Sequence, residues 1–140
     1  MMDAYRLDRF VAAQDPIFDR VREELARGRK QSHWMWFVFP QIAGLGRSEM
    51  ARAYALGSLD EAHAYLSHEV LGPRLLECTR LVNRIDGRSV DEIFGSPDNM
   101  KFHSSMTLFA RVPGAGPDFS AALAEYFAGI EDEATVERLA

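Results

Sequence analysis

The run Ser32-His33-Trp34-Met35-Trp36-Phe37-Val38-Phe39-Pro40-Gln41 holds both tryptophans of the chain beside a histidine, a serine and a glutamine. That mixture suits a flat, polar-edged ligand, because a π-face stacks a nucleobase while the rim supplies hydrogen bonds. Arg27, Arg29 and Lys30 precede the run and Arg47 follows it, so cations able to meet phosphate lie on both sides. A plainer reading makes Trp34, Trp36, Phe37 and Phe39 core, since aromatics at this density commonly pack against helices. It accounts less well for Gln31, Ser32, His33 and Gln41, because buried polar groups require partners.

A second polar concentration spans Asp98-Asn99-Met100-Lys101-Phe102-His103-Ser104-Ser105-Met106-Thr107. On a helix Asp98, Lys101 and Ser105 share one face, while Phe102, Met106 and Phe109 form a core-facing stripe. Together the two stretches give a candidate site. Trp34 and Trp36 stack a base or line a pocket, and Arg47 and Lys101 meet phosphate. His33 and Gln41 set hydrogen bonds, and Ser32 and Ser105 complete the ligand-binding set. Asp98 or Glu49 is the acid–base carboxylate of any reaction there. A solvated helix pair explains Asp98 and Lys101 without a ligand.

Other chemistries find less support. His103, Ser104 and Ser105 do not make a nucleophilic triad, because helical neighbours point about 100° apart. The histidines at 33, 63, 68 and 103 lack close metal-ligand spacing, and the single cysteine, Cys78, excludes an internal disulfide or a cysteine-based cluster. No metal and no cofactor is expected. Cys78, near Leu75, Leu76 and Val82, reads as a small buried hydrophobe.

Those residues need a scaffold, and 140 residues are enough for one domain with a real core. Apolar residues at 47% and charged residues at 26% argue for a globular chain over a disordered one. A net charge of −5 disfavours general nucleic-acid binding, which calls for a basic face. No signal core follows the N-terminus and no long apolar run occurs, so a cytoplasmic protein without a membrane segment is expected. The oligomeric state is not legible.

Cap and stop residues divide the chain into helices. Tyr5–Ala13 is a short opening helix. Asp15-Pro16 starts a second, with Ile17, Val21 and Leu25 on its buried side and Gly28 as its stop. Ser48–Leu56 is a third. Ser58-Leu59-Asp60-Glu61 and Ser89-Val90-Asp91-Glu92 are capping-box signatures opening two more. Gly72-Pro73 starts another between them. Ser96-Pro97-Asp98 caps a helix across 99–111, and Phe119, Leu123, Tyr126 and Phe127 mark a helical face ended by Gly129. Asp132 caps a terminal segment with Val136 and Leu139. Only Trp34–Phe39 could hide a short strand. The expectation is an all-α single domain, 1–140, of about eight helices around the central aromatic segment.

The long motifs Ser32–Gln41, Gly44-Leu45-Gly46, Tyr65-Leu66-Ser67-His68 with Leu71-Gly72, and Ile93-Phe94-Gly95 through Phe109 resemble the bacterial domain of unknown function 1810 proteins, sometimes mislabelled calpastatin. The resemblance implies a mainly helical single domain and brings no established activity. A fainter likeness is to the NADAR superfamily, helical proteins of NAD and ADP-ribose chemistry that include N-glycosidases. Its counterparts here would be Ser32-His33-Trp34, Tyr65–His68 with Leu75, Leu76 and Thr79, Phe94–Asp98, and Leu108–Arg111. That likeness implies an ADP-ribose-like ligand and N-glycoside hydrolysis. Two departures stand against it: no acidic residue immediately precedes His33, and His103–Thr107 replaces a Gly-Asn-x-Leu-Gly element. The functional expectation is therefore binding of a nucleotide-like or ADP-ribose-like small molecule, with or without its N-glycoside hydrolysis. The alternative is a non-enzymatic interaction module or homodimer anchored by Trp34, Phe37 and Phe39 on an exposed patch.

Overall fold

A computed structural model describes residues 3–140. Among them are ten helices: α1 (Asp8–Gln14), α2 (Phe18–Ala26), α3 (Met35–Val38), α4 (Glu49–Ala53), α5 (Leu59–Ser67), α6 (Leu71–Asn83), α7 (Val90–Phe94), α8 (Asp98–Ala110), α9 (Asp118–Phe127) and α10 (Glu133–Leu139). The fold is all-α. Among the described residues the only extended pairing is an isolated parallel bridge between Ile42 and Leu56.

Two of the ten helices exceed the expected eight. The aromatic run turns out to be a single helical turn, α3, and the terminal segment forms α10. No neighbouring strand flanks Trp34–Phe39, so its β propensity has no sheet to join.

The caps explain most of the boundaries. Ser48, Ser58 and Asp132 each accept a backbone N–H three residues on, and Ser89 with Glu92 completes a reciprocal capping box. In α5 the Glu61 carboxylate accepts from the Gly57 N–H instead of closing the box on Ser58. At α2 the expected start is early: Asp15 ends α1, and the helix begins at Phe18 behind Ile17. Gly28, at φ 76°, then turns the chain out of α2.

Helix α8 is the axis. It packs against α5, α7, α9 and α10, so Phe102 and every residue from Ser104 to Phe109 are buried. An amphipathic α8 with Ser105 on an open face is therefore not what forms, because neighbours cover both sides. Phe102 meets Phe39 edge-on, with centroids 5.1 Å apart, and stacks on Phe94 at 4.7 Å. A second chain of rings runs Phe10–Tyr65–Phe109–Phe119, at 5.1, 5.5 and 5.6 Å. These rings bury large apolar areas and favour edge and offset contacts, which fixes α3 against α8. At Gly72 the approach is closest, since a Cβ there would lie 2.1 Å from the Leu66 carbonyl oxygen. No described helix is long and apolar enough to cross a membrane.

Candidate functional site

Where the loop before α3 meets the N-terminal turn of α8, a cleft of about 360 Å³ opens, lined by Lys30, His33, Met35, Trp36, Ser96, Pro97, Asp98 and Lys101. The two polar stretches of the sequence thus converge, although more than 60 residues separate His33 from Asp98. Lys30 Nζ lies 2.7 Å from Asp98 Oδ2 and Lys101 Nζ lies 3.5 Å from Asp98 Oδ1. One carboxylate is therefore bracketed by two ammonium groups.

The lysines are not equivalent. Lys30 has 6% of its side chain exposed, donates to the Ser32 carbonyl at 2.5 Å, and sits 5.0 Å from the Trp34 ring centroid. Its backbone N–H donates to the Ile93 carbonyl at 2.8 Å, tying the loop to α7. Lys101 is 20% exposed, holds the longer contact to Asp98, and lies 4.9 Å from the Trp36 ring centroid. Lys30 is held by three partners, Lys101 by two, with the longer of the two ion pairs. Trp36 is half-buried and His33 is exposed.

Against the loop that follows Lys30 lies a group that the sequence reading missed. Glu24, on α2, is 4% exposed. Its Oε1 accepts from the backbone N–H groups of Gln31 at 2.7 Å and Ser32 at 2.9 Å, and from the Trp34 indole Nε1 at 3.0 Å. Its Oε2 accepts from the Ser32 hydroxyl at 2.5 Å. Burial pushes the Glu24 carboxyl up, but the hydrogen bonds from Ser32, Gln31 and Trp34 outweigh it and hold the group at about 2. Glu24 on α2 thus anchors the loop residues Gln31 and Ser32 and the Trp34 indole. A signal was present: Glu24 stands three residues after Val21 and one before Leu25, on the side that α2 buries.

The remaining candidates are dispersed. Trp34 is 1% exposed, and its polar edge is turned to Glu24. Ser32 spends its hydroxyl on the same carboxylate. Ser105 is fully buried in α8, and its hydroxyl has no partner among the described residues. Gln41 is half-buried at the bridge, where its carbonyl accepts from the Leu56 N–H at 2.9 Å. Arg47 and Glu49 are exposed at the start of α4 and do not line the cleft. The structure therefore brings together His33, Trp36, Asp98 and Lys101, adds Lys30, and leaves the others apart. Among the described residues, no three His, Cys, Asp or Glu side chains gather as a metal site would need.

A family model described as "Protein of unknown function (DUF1810)" matches residues 4–139. The chain is similar to the conserved hypothetical protein Rv1873 from Mycobacterium tuberculosis, known from a crystal structure. The two are 58% identical, with 98% of each chain covered and a TM-score of 0.96. No curated protein matches the chain. With its aromatic run, helical order and nearly full-length family match in agreement, the chain belongs to the DUF1810 family of proteins of unknown function.

Proposed function

We propose that the cleft between the α3 loop and α8 binds a small nucleotide-like or ADP-ribose-like ligand. The observation that carries this reading is the convergence of Trp36, His33, Lys30 and Lys101 around Asp98 in one cleft. Trp36 offers a partly open π-face for a base. Lys101, less tightly held than Lys30, exchanges its contact with Asp98 for a phosphate oxygen, and His33 hydrogen-bonds the sugar or base edge. The volume of about 360 Å³ is near the small end of ligand pockets, which favours a mononucleotide-sized portion over a whole dinucleotide.

The reaction proposed for this site is N-glycoside hydrolysis. Water attacks the anomeric carbon as the carbon–nitrogen bond breaks, and that electron pair leaves with the base nitrogen, which takes up a proton. The Asp98 charge stabilises the oxocarbenium-like state, and its carboxylate accepts the proton of the attacking water and passes it on to the departing base nitrogen, which restores the carboxylate. The products are a free base and a sugar bearing a new hydroxyl. The short-motif likeness to the NADAR superfamily also supports this chemistry.

An interaction module anchored by the aromatic run is less well supported, because Trp34, Phe37 and Phe39 are 1%, 7% and 0% exposed. Chromatographic product analysis with NAD, ADP-ribose and simple ribosides, in wild-type and Asp98→Asn protein, tests the reaction. Release of base by wild type and its loss in Asp98→Asn is the expected result. Binding without release would leave a ligand-binding domain, and neither binding nor release would defeat the proposal.

A further inference from the structure

A second cleft lies elsewhere. It measures about 560 Å³ and is lined by Ala4, Tyr5, Arg6, Arg9, Arg52, Ala53, Tyr54 and Glu61, where the chain enters α1 beside the end of α4. Three arginines and one glutamate line it, in a chain whose net charge is −5. A local cationic cleft on an anionic molecule concentrates field where an anion would sit.

The three arginines divide the work. Arg9 is fixed: its Nε donates to the Ala53 carbonyl at 2.8 Å, and its terminal nitrogens donate to the carbonyls of Tyr5 at 2.6 Å, Arg6 at 2.9 Å and Ala55 at 3.1 Å. It clamps the two walls together. Arg6 and Arg52 have exposed side chains and pair with no carboxylate among the described residues. Glu61, the one acid in the lining, is engaged by the Gly57 N–H. Arg6 also holds a left-handed backbone at φ 53°, which is unfavourable for a residue with a Cβ and is characteristic of functional sites. Asp3 helps hold that turn, since its carboxylate accepts the Leu7 and Asp8 N–H groups at 2.8 Å each. Tyr5, one of the few large apolar side chains left exposed, lines the same cleft.

We infer that this cleft is a binding site for a phosphate monoester carrying a flat ring. Arg6 and Arg52 take the phosphate oxygens, for which a planar guanidinium is well matched, and Tyr5 stacks the ring. Arg9 acts through the backbone and positions the walls. The site is separate from the cleft at Asp98 and shares no lining residue with it.

The test follows the arginine Nε–Hε resonances of the whole protein by NMR during titration with phenyl phosphate and, separately, inorganic phosphate. Saturable shifts at Arg6 and Arg52 with phenyl phosphate are expected, at an affinity about tenfold above inorganic phosphate because of the ring. Arg6→Ala or Arg52→Ala should each weaken phenyl phosphate about tenfold, and Tyr5→Ala should erase the preference for the ester. Both arginines are exposed, so an unchanged melting temperature identifies the loss as one of binding. Lys101→Met should leave the titration unaltered, which separates this site from the proposed nucleotide cleft. No saturation in the millimolar range, or equal affinity in wild type and Arg6→Ala/Arg52→Ala protein, would overturn the inference.

Discussion

Lys30 Nζ stands 2.7 Å from Asp98 Oδ2, joining the loop that leads into α3 to the N-terminal turn of α8. Both partners line the candidate cleft and are largely withdrawn from water, at 6% and 19% side-chain exposure. Removing one partner of such a pair leaves the other charge uncompensated. Asp98→Asn is therefore expected to perturb Lys30 as well as ligand chemistry, and Lys101→Met is the cleaner probe of binding.

Glu24 provides a pH signature. Its folded value of about 2 lies below the ordinary 4.5, so the native state binds the proton less readily than the unfolded chain. The resulting stability is fully present above pH 4.5 and is lost as pH falls from there toward 2. From the difference of the two values it amounts to about 3 kcal/mol. Urea unfolding across that range should show this loss in wild type. Glu24→Gln should be less stable at neutral pH by about 2 kcal/mol and lack this part of the acid slope. An acid slope identical in the two proteins would refute the assignment.

The two tryptophans should separate stability from binding. Trp34→Phe removes the indole donor to Glu24, costing about 1–2 kcal/mol in denaturant unfolding. Trp36→Phe loses little packing, and its cation–π contact with Lys101 is worth about 0.5–1 kcal/mol. Ligand affinity should instead fall with Trp36→Ala. A larger stability loss at Trp36 than at Trp34 would reverse the division.

Gly72 is a test of packing at the α5–α6 junction. Gly72→Ala places a Cβ 2.1 Å from the Leu66 carbonyl oxygen, and the backbone must move. A cost of about 3 kcal/mol is expected by thermal or urea unfolding, at the upper end of ordinary overpacking. Gly114→Ala meets open space and pays only for its φ of 77°, about 1 kcal/mol.

Cys78 should be inert in the folded protein. It is completely buried on α6, and burial, with the nearby Glu77 charge, pushes its thiol up to about 12. An aromatic disulfide reagent should react with it only in denaturant, at a rate that follows unfolding. Rapid native-state labelling would contradict its placement.

The sequence revealed the helices best where a local rule sufficed. Ser48, Ser58, Ser89 and Asp132 cap helices because each side chain needs only the backbone N–H three residues on. Part of the candidate set comes together in space. His33, Trp36, Asp98 and Lys101 do share a cleft, but Trp34 and Trp36 look alike in sequence. Which of them faces the core is decided by the single turn of α3 and by Glu24, a partner ten residues upstream of Trp34. Ser105 lies apart from the cleft for a related reason: its helical face is defined by α8 alone, whereas its burial depends on the helices packed around α8. Arg47 and Glu49 lie close to the aromatic run in sequence, yet the chain carries them away to α4.

Tryptophan fluorescence tests ligand binding at the Trp36–Lys101 cleft most directly. Trp34 is sealed in the core and Trp36 is half-open, so a bound base should affect chiefly Trp36. Titration with adenosine monophosphate and ADP-ribose is expected to quench wild-type emission saturably. Lys101→Met, which retains both tryptophans, should weaken that binding about tenfold. No saturable change in wild type, or an unchanged affinity in Lys101→Met, would contradict the assignment of this cleft as the binding site.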